Sequence, residues 1–174
     1  MAKLRKGVAY RGVERPYTRK SKFKKKAFVK AIPTNKVISY DMGDPNKKFE
    51  YMLELKSKIM IQIRHNAIES ARQTANRYLE KTLGKSNYCF KIVIYPHHIL
   101  RENPLASGAG ADRFSTGMQK AFGKPTGLAA RVKAGQTLMR LSVNKSNLKD
   151  ARMGLKRAQY KFPCGCSIVV NKNE

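Results

Sequence analysis

Acidic residues are scarce in this 174-residue chain: 11 Asp and Glu face 37 Lys and Arg, giving a formal net charge of +26. A compact state with that imbalance repels itself unless a polyanion neutralises it. Neutralising phosphates releases condensed counterions, so nucleic acid is the partner that best fits such a surface. A membrane surface would call for an apolar span or anchor. No apolar run reaches the roughly 18 residues that a spanning helix needs. The N-terminus also lacks the apolar middle of a signal peptide, so a cytosolic chain with no membrane partner is expected. Cysteine is sparse too. Cys89, Cys164 and Cys166 form an odd count without an export signal, which argues against a disulfide framework. Cys164-Gly165-Cys166 has no matching second pair, so no metal is expected. It reads as two small residues at the entrance to a final strand.

The parts of an enzyme are missing as well. His97-His98 stands near Arg101, Glu102 and Asp112, but adjacent residues of an extended backbone face opposite ways and do not share one site. No Ser or Cys nucleophile sits in a recognisable elbow. Ser107-Gly108-Ala109-Gly110-Ala111 lacks the Gly-Lys-Ser/Thr ending of a nucleotide loop. No catalytic residue and no cofactor are therefore expected, and His65 reads as a structural residue at a strand–helix junction.

What is present is a basic N-terminus and enough apolar content, 41%, for one domain. The first 30 residues hold twelve Lys and Arg against Glu14 alone. Residues 1–26 have no sustained period and read as an RNA-binding arm carrying Lys3, Arg5, Lys6, Arg11, Arg15, Arg19, Lys20, Lys22, Lys24, Lys25 and Lys26. Tyr10, Tyr17 and Phe23 are interleaved with these cations and suit stacking on bases or riboses.

Residues 27–174 read as a single globular domain. Short strands are expected at 27–32 and 37–40, a turn at 41–45, and a strand at 49–55 whose alternation continues through Ile59, Ile61 and Ile63. A helix from His65 or Asn66 buries Ile68, Ala71, Ala75, Tyr78 and Leu79, turns Glu69, Arg72, Arg77 and Lys81 outward, and stops at Gly84. Strands follow at 88–95, 128–132 and 137–143, with the patternless 101–127 between, and 101–117 is expected to be a long flexible loop. A second helix, capped near Asn144 or Ser146, buries Leu148, Ala151, Leu155 and Ala158 and exposes Arg152, Lys156 and Arg157. A strand at 167–170 closes the chain. The class is α+β, with one mixed sheet and two packed helices.

Longer motifs then become specific. Pro96-His97-His98-Ile99-Leu100-Arg101-Glu102-Asn103, Gly108-Ala109-Gly110-Ala111-Asp112-Arg113, Ala121-Phe122-Gly123-Lys124-Pro125 and Ala129-Ala130-Arg131-Val132 occur in one order with Gln62-Ile63-Arg64-His65-Asn66-Ala67, Asn76-Arg77-Tyr78-Leu79 and Pro16-Tyr17-Thr18-Arg19. This set resembles the large-subunit ribosomal protein family called "L ten e" in archaea and eukaryotes and "L sixteen" in bacteria, over nearly the whole chain and in its archaeal form. The resemblance implies an α/β-hammerhead fold and a structural constituent of the large subunit. It implies as partners large-subunit rRNA, the acceptor arm of aminoacyl-tRNA and neighbouring large-subunit ribosomal proteins. The implied role is to help position tRNA and complete the peptidyl-transferase region. The arm cations with Arg64, Arg72, Lys120, Lys124 and Arg131 would face rRNA. Arg101, Ser107, Gly108, Gly110, Asp112 and Arg113 would lie on a tRNA-facing loop. This sequence departs from the family at Pro104-Leu105, where relatives commonly carry Lys-Met, which removes a loop cation and stiffens the turn. A non-ribosomal basic nucleic-acid-binding protein is the rival reading.

Overall fold

The computed structural model describes residues 6–13, 18, 22–26, 28–102 and 123–173. The strands are β1 (Asp41–Gly43), β2 (Tyr51–Ser57), β3 (Ile61–Arg64), β4 (Tyr88–Ile92), β5 (His98–Glu102), β6 (Lys124–Val132), β7 (Thr137–Val143) and β8 (Cys166–Lys172). The helices are α1 (His65–Leu83) and α2 (Leu148–Gln159). The α+β class and its two helices are as expected, but the single mixed sheet is not. The strands divide into a five-stranded sheet in the order β1-β4-β7-β2-β8 and a three-stranded sheet in the order β3-β6-β5. Every pairing in both is antiparallel.

The division happens where the alternation misleads. Ile59 and Met60 continue the apolar rhythm of β2, yet they are exposed at a turn, and Ile61 begins a new strand in the other sheet. The chain crosses between the sheets four times: from β2 to β3, from β3 through α1 to β4, from β4 to β5, and at the turn between β6 and β7.

A main core gathers Leu53 and Leu55 of β2, Ile61 and Ile63 of β3, Ile68, Ala71, Ala75 and Leu79 of α1, Tyr88 and Phe90 of β4, Leu141 and Val143 of β7, and Ala151, Leu155 and Ala158 of α2. Side chains at helical spacing thus seal α1 and α2 against the larger sheet and remove their apolar area from water. The helices approach closely because α2 carries Gly154 at the contact: a Cβ there would sit 2.9 Å from Leu79 Cδ2. A smaller cluster of Val29, Ile99 and Leu128 lies on the three-stranded sheet.

Four local expectations are corrected. Among described residues, 28–40 form no strand. The amide of Lys36 donates to His65 Nδ1, that of Val37 to Asn35 Oδ1 and that of Ile38 to Glu69 Oε2, so these donors are unavailable to a ladder. Residues 41–43, expected as a turn, form β1, and the turn follows Gly43. Residues 98–102 and 124–127 are strand, although 101–102 and 124–127 fall within the stretch expected to be patternless. Their pairing shifts register between Leu100 and Arg101, opposite Pro125 and Gly127, and these residues hide the strand from propensity. On α1, Tyr78 is only half-buried, whereas Glu69 is buried. The helix starts and stops where expected, with Gly84 at φ 76° beyond its last turn. Residues 103–122 lie outside the described residues, and with them Ser107, Gly108, Gly110, Asp112, Arg113 and Lys120.

Candidate nucleic-acid interface

The three-stranded sheet collects cations that are far apart in sequence. Antiparallel pairing sets Gln62 opposite Arg131 and Arg64 opposite Ala129 on β3 and β6, and Arg101 opposite Pro125 and Glu102 opposite Lys124 on β5 and β6. Residues 7–11 dock beside β3. The amide of Gln62 donates to Arg11 O at 3.2 Å, its side-chain amide donates to Tyr10 O at 3.0 Å, and the Arg64 guanidinium lies 5.6 Å from the Tyr10 ring centre. Lys6, Arg11, Lys124 and Arg131 are exposed and Arg64 is half-exposed. Arg101 turns inward and donates to Phe28 O. The local positive potential registers on His98: burial, then Arg131 and Arg101, hold its pKa below the usual histidine value. His97 points elsewhere and packs tilted against Tyr95, with ring centres 4.4 Å apart and planes at 43°, so the histidine pair splits as expected of adjacent residues on an extended backbone. His65 is buried, and its imidazole accepts the Lys36 amide, which is a structural role.

A second basic surface lies between the helices. Gln73, Thr74, Arg77, Tyr78 and Lys81 of α1 and Arg157 of α2 line a groove of about 500 Å³. Arg157 stacks over the Tyr78 ring at 4.1 Å, and Tyr78 donates its hydroxyl to Asp150 at 3.2 Å. This lays a flat, cation-backed aromatic along the groove wall, with Arg77 and Lys81 exposed at its mouth. Such a groove can take a phosphate backbone between its cations and offer a planar contact to a sugar or base. Along α2, Lys149, Arg152, Met153 and Lys156 line a smaller groove, of about 350 Å³, with Ile168. The outward helix residues are legible from helical spacing, and sequence reasoning assigns rRNA binding to the basic helix faces as a whole, but it singles out none of Arg77, Lys81, Lys149 or Arg157 as a site residue. The available signal was the recurrence of cations at i, i+4 (Arg77 and Lys81; Arg152 and Lys156) on faces almost without acid.

The other residues proposed from sequence fall into two groups. Lys22, Lys24 and Lys25 are exposed at and beside a short 3-10 turn, while Lys3, Arg5, Arg15, Arg19 and Lys20 lie outside the described residues. Arg72 stands apart from all of them. Its Nε and Nη2 donate to both oxygens of Glu69, at 2.9 and 2.7 Å, and its side chain is 13% exposed. That charge is neutralised inside the fold.

Glu69 also accepts from Gln73 at 2.9 Å and from the Ile38 amide, and so fastens the irregular 36–40 segment to α1. Burial pushes its carboxyl up, but these hydrogen bonds and the Arg72 charge outweigh burial and hold its pKa below the usual carboxylate value. A folded pKa below the unfolded one stabilises the protein above the unfolded value and ceases to do so as pH falls through the folded one. Glu69→Gln is therefore expected to cost about 2 kcal/mol at neutral pH through weakened charge-assisted bonds. In urea titrations the gap from the unsubstituted protein should close below about pH 4. A gap unchanged at acid pH would mean that lost shape, not lost charge, causes it.

Comparison with known proteins places this geometry in context. Residues 15–169 match the family model described as ribosomal protein L16p/L10e. The chain is 45% identical over 172 residues to the large ribosomal subunit protein uL16 of Methanococcus maripaludis strain S2, covering 98% of this chain and 96% of that protein. It is 46% identical over 163 residues to the uL16 of Archaeoglobus fulgidus, covering 94% and 90%. Against the uL16 of Methanococcus aeolicus it is 44% identical over 170 residues, covering 97% and 95%.

Proposed function

Because the chain belongs to the ribosomal protein L16p/L10e family, we propose that it is a structural component of the large ribosomal subunit that binds rRNA and helps position aminoacyl-tRNA. The observation that carries the rRNA part is the pairing of two cationic surfaces on one small domain: the Arg131 face of the three-stranded sheet and the groove of Arg77, Lys81 and Arg157. Two such surfaces let one protein bridge separate RNA segments, with the arm of residues 1–26 as a third contact. Binding then comes from phosphate neutralisation, with little reading of base edges. The division into a five- and a three-stranded sheet supports an α/β-hammerhead assignment. The tRNA part rests on the family and on position: Arg101 and Glu102 end β5 where the chain leaves for the segment carrying Ser107, Gly108, Gly110, Asp112 and Arg113.

Crosslinking of the tagged full-length protein in cells tests the proposal. Large-subunit rRNA is the expected crosslinked species, and the protein should sediment with the large subunit at moderate salt. Recovery of mRNA or DNA instead would favour the non-ribosomal binder. Crosslinks from residues 101–117 to tRNA are expected only on ribosomes with an occupied aminoacyl site. Their absence there would remove the tRNA part and leave the rRNA part standing.

A further inference from the structure

Neither surface uses Cys164 and Cys166. Their sulfurs lie 3.7 Å apart, and Cys164 Sγ also lies 3.6 Å from Ser57 Oγ, a hydroxyl that donates to Ile59 O at 2.8 Å. Cys166 is buried at the first position of β8, directly across from Ser57. The Lys58 amide donates to Gly165 O at 3.0 Å, so the residue just after β2 holds the short link between the cysteines. Cys164 is half-exposed and reachable from solvent. Cys89, on β4, is separated from β8 in the sheet by β7 and β2 and takes no part. Among the described residues no group of three or more His, Cys, Asp or Glu forms a cation cage, so the chemistry open to this cluster is that of a dithiol.

We propose that Cys164 and Cys166 form a reversible dithiol–disulfide pair whose oxidant is a low-molecular-weight disulfide. The two thiols divide the work. The contact between the two sulfurs lowers the Cys164 pKa to about 6, while the same contact and burial push Cys166 up, so Cys164 is the thiol that ionises first. That thiolate attacks one sulfur of the small disulfide. A Cys164 mixed disulfide forms, and the other half leaves as a thiolate that takes up a proton. The charge that held the proton on Cys166 is then gone, and Lys58 favours the Cys166 thiolate. Cys166 loses its proton and attacks Cys164 Sγ, and the second small thiolate leaves and is protonated. Two protein thiols are oxidised and one small disulfide is reduced to two thiols.

Full-length protein treated with glutathione disulfide, digested and mapped by mass spectrometry tests this. The expected product is a monomer whose Cys164–Cys166 peptide is lighter by two hydrogens and is restored by dithiothreitol, with Cys89 still open to alkylation. Cys166→Ser is expected to stop at a single glutathione on Cys164. Before oxidation, Cys164 should alkylate about tenfold faster than Cys89 at neutral pH. A glutathione adduct that persists on Cys164 of the unsubstituted protein, an intermolecular disulfide, or equal rates at Cys164 and Cys89 would each overturn the proposal. Should the serine variant fail to fold, the mass and rates of the unsubstituted protein still decide it.

Discussion

Replacing Gly43 by Ala is expected to destabilise the protein by about 3 kcal/mol or more, read as a lower urea midpoint with an unchanged slope. Two costs combine there. The residue sits at φ 85°, a conformation that costs an L side chain about 1 kcal/mol. A Cβ would also fall 2.1 Å from the carbonyl oxygen of Tyr88. That oxygen is backbone and is fixed three ways: it accepts the Asp44 amide at 3.0 Å, its residue pairs with Val143 across β4 and β7, and the buried Tyr88 ring is anchored through its hydroxyl to Asn76 at 2.8 Å. Moving it would loosen the start of β4 and the β1 edge together. Gly135→Ala supplies the comparison, because it shares the positive φ, at 77°, with nothing within 4 Å of the added carbon. It should cost only about 1 kcal/mol, the conformational part alone. Equal losses in the two variants would show that the close approach to Tyr88 does not exist in solution.

The Gly43 turn also marks how far sequence reasoning reached. Asp41-Met42-Gly43-Asp44-Pro45 was legible as turn chemistry, but the strand within it depends on Cys89, Phe90 and Lys91, more than forty residues away. Where a signal is local and periodic, it held. The apolar spacing of Ile68, Ala71, Ala75 and Leu79 located α1, Gly84 located its end, and β7 occupies the expected 137–143. Where long-range partners decide, it did not. The apolar run 37–40 has strand composition, but His65 and Glu69 of α1 accept the amides of Lys36 and Ile38. Exposed Ile59 and Met60 disguised the break between the two sheets. Gly127 and Pro125 disguised the first half of β6. The helix groove was hidden for the same reason: Arg77 and Arg157 each look like part of a solvated face until α1 and α2 are set side by side. Tyr78, counted as core by its spacing, is instead the surface that Arg157 covers.

That hidden groove carries the largest functional effect we expect. The triple substitution Arg77→Gln, Lys81→Gln and Arg157→Gln should weaken binding to large-subunit rRNA about a hundredfold near physiological salt, at roughly 1 kcal/mol for each lost phosphate contact. A plot of log affinity against log salt should lose roughly two to three units of slope, since each neutralised phosphate contributes about 0.7 to 0.9. Folding should suffer far less. Arg77 and Lys81 are exposed, and Arg157 loses only a surface contact with the Tyr78 ring. Net charge alone would also weaken binding, so the comparison is a triple variant of equal charge on other exposed positions, Lys48→Gln, Lys85→Gln and Lys172→Gln. If the phosphates sit in the groove, this second variant keeps most of the affinity and most of the slope. If both triples lose the same affinity, the groove has no privileged place and the RNA is held by the diffuse field of the whole basic surface. Arg72→Gln separates a third possibility: with its fork spent on Glu69, it should lower the urea midpoint while leaving the salt slope intact.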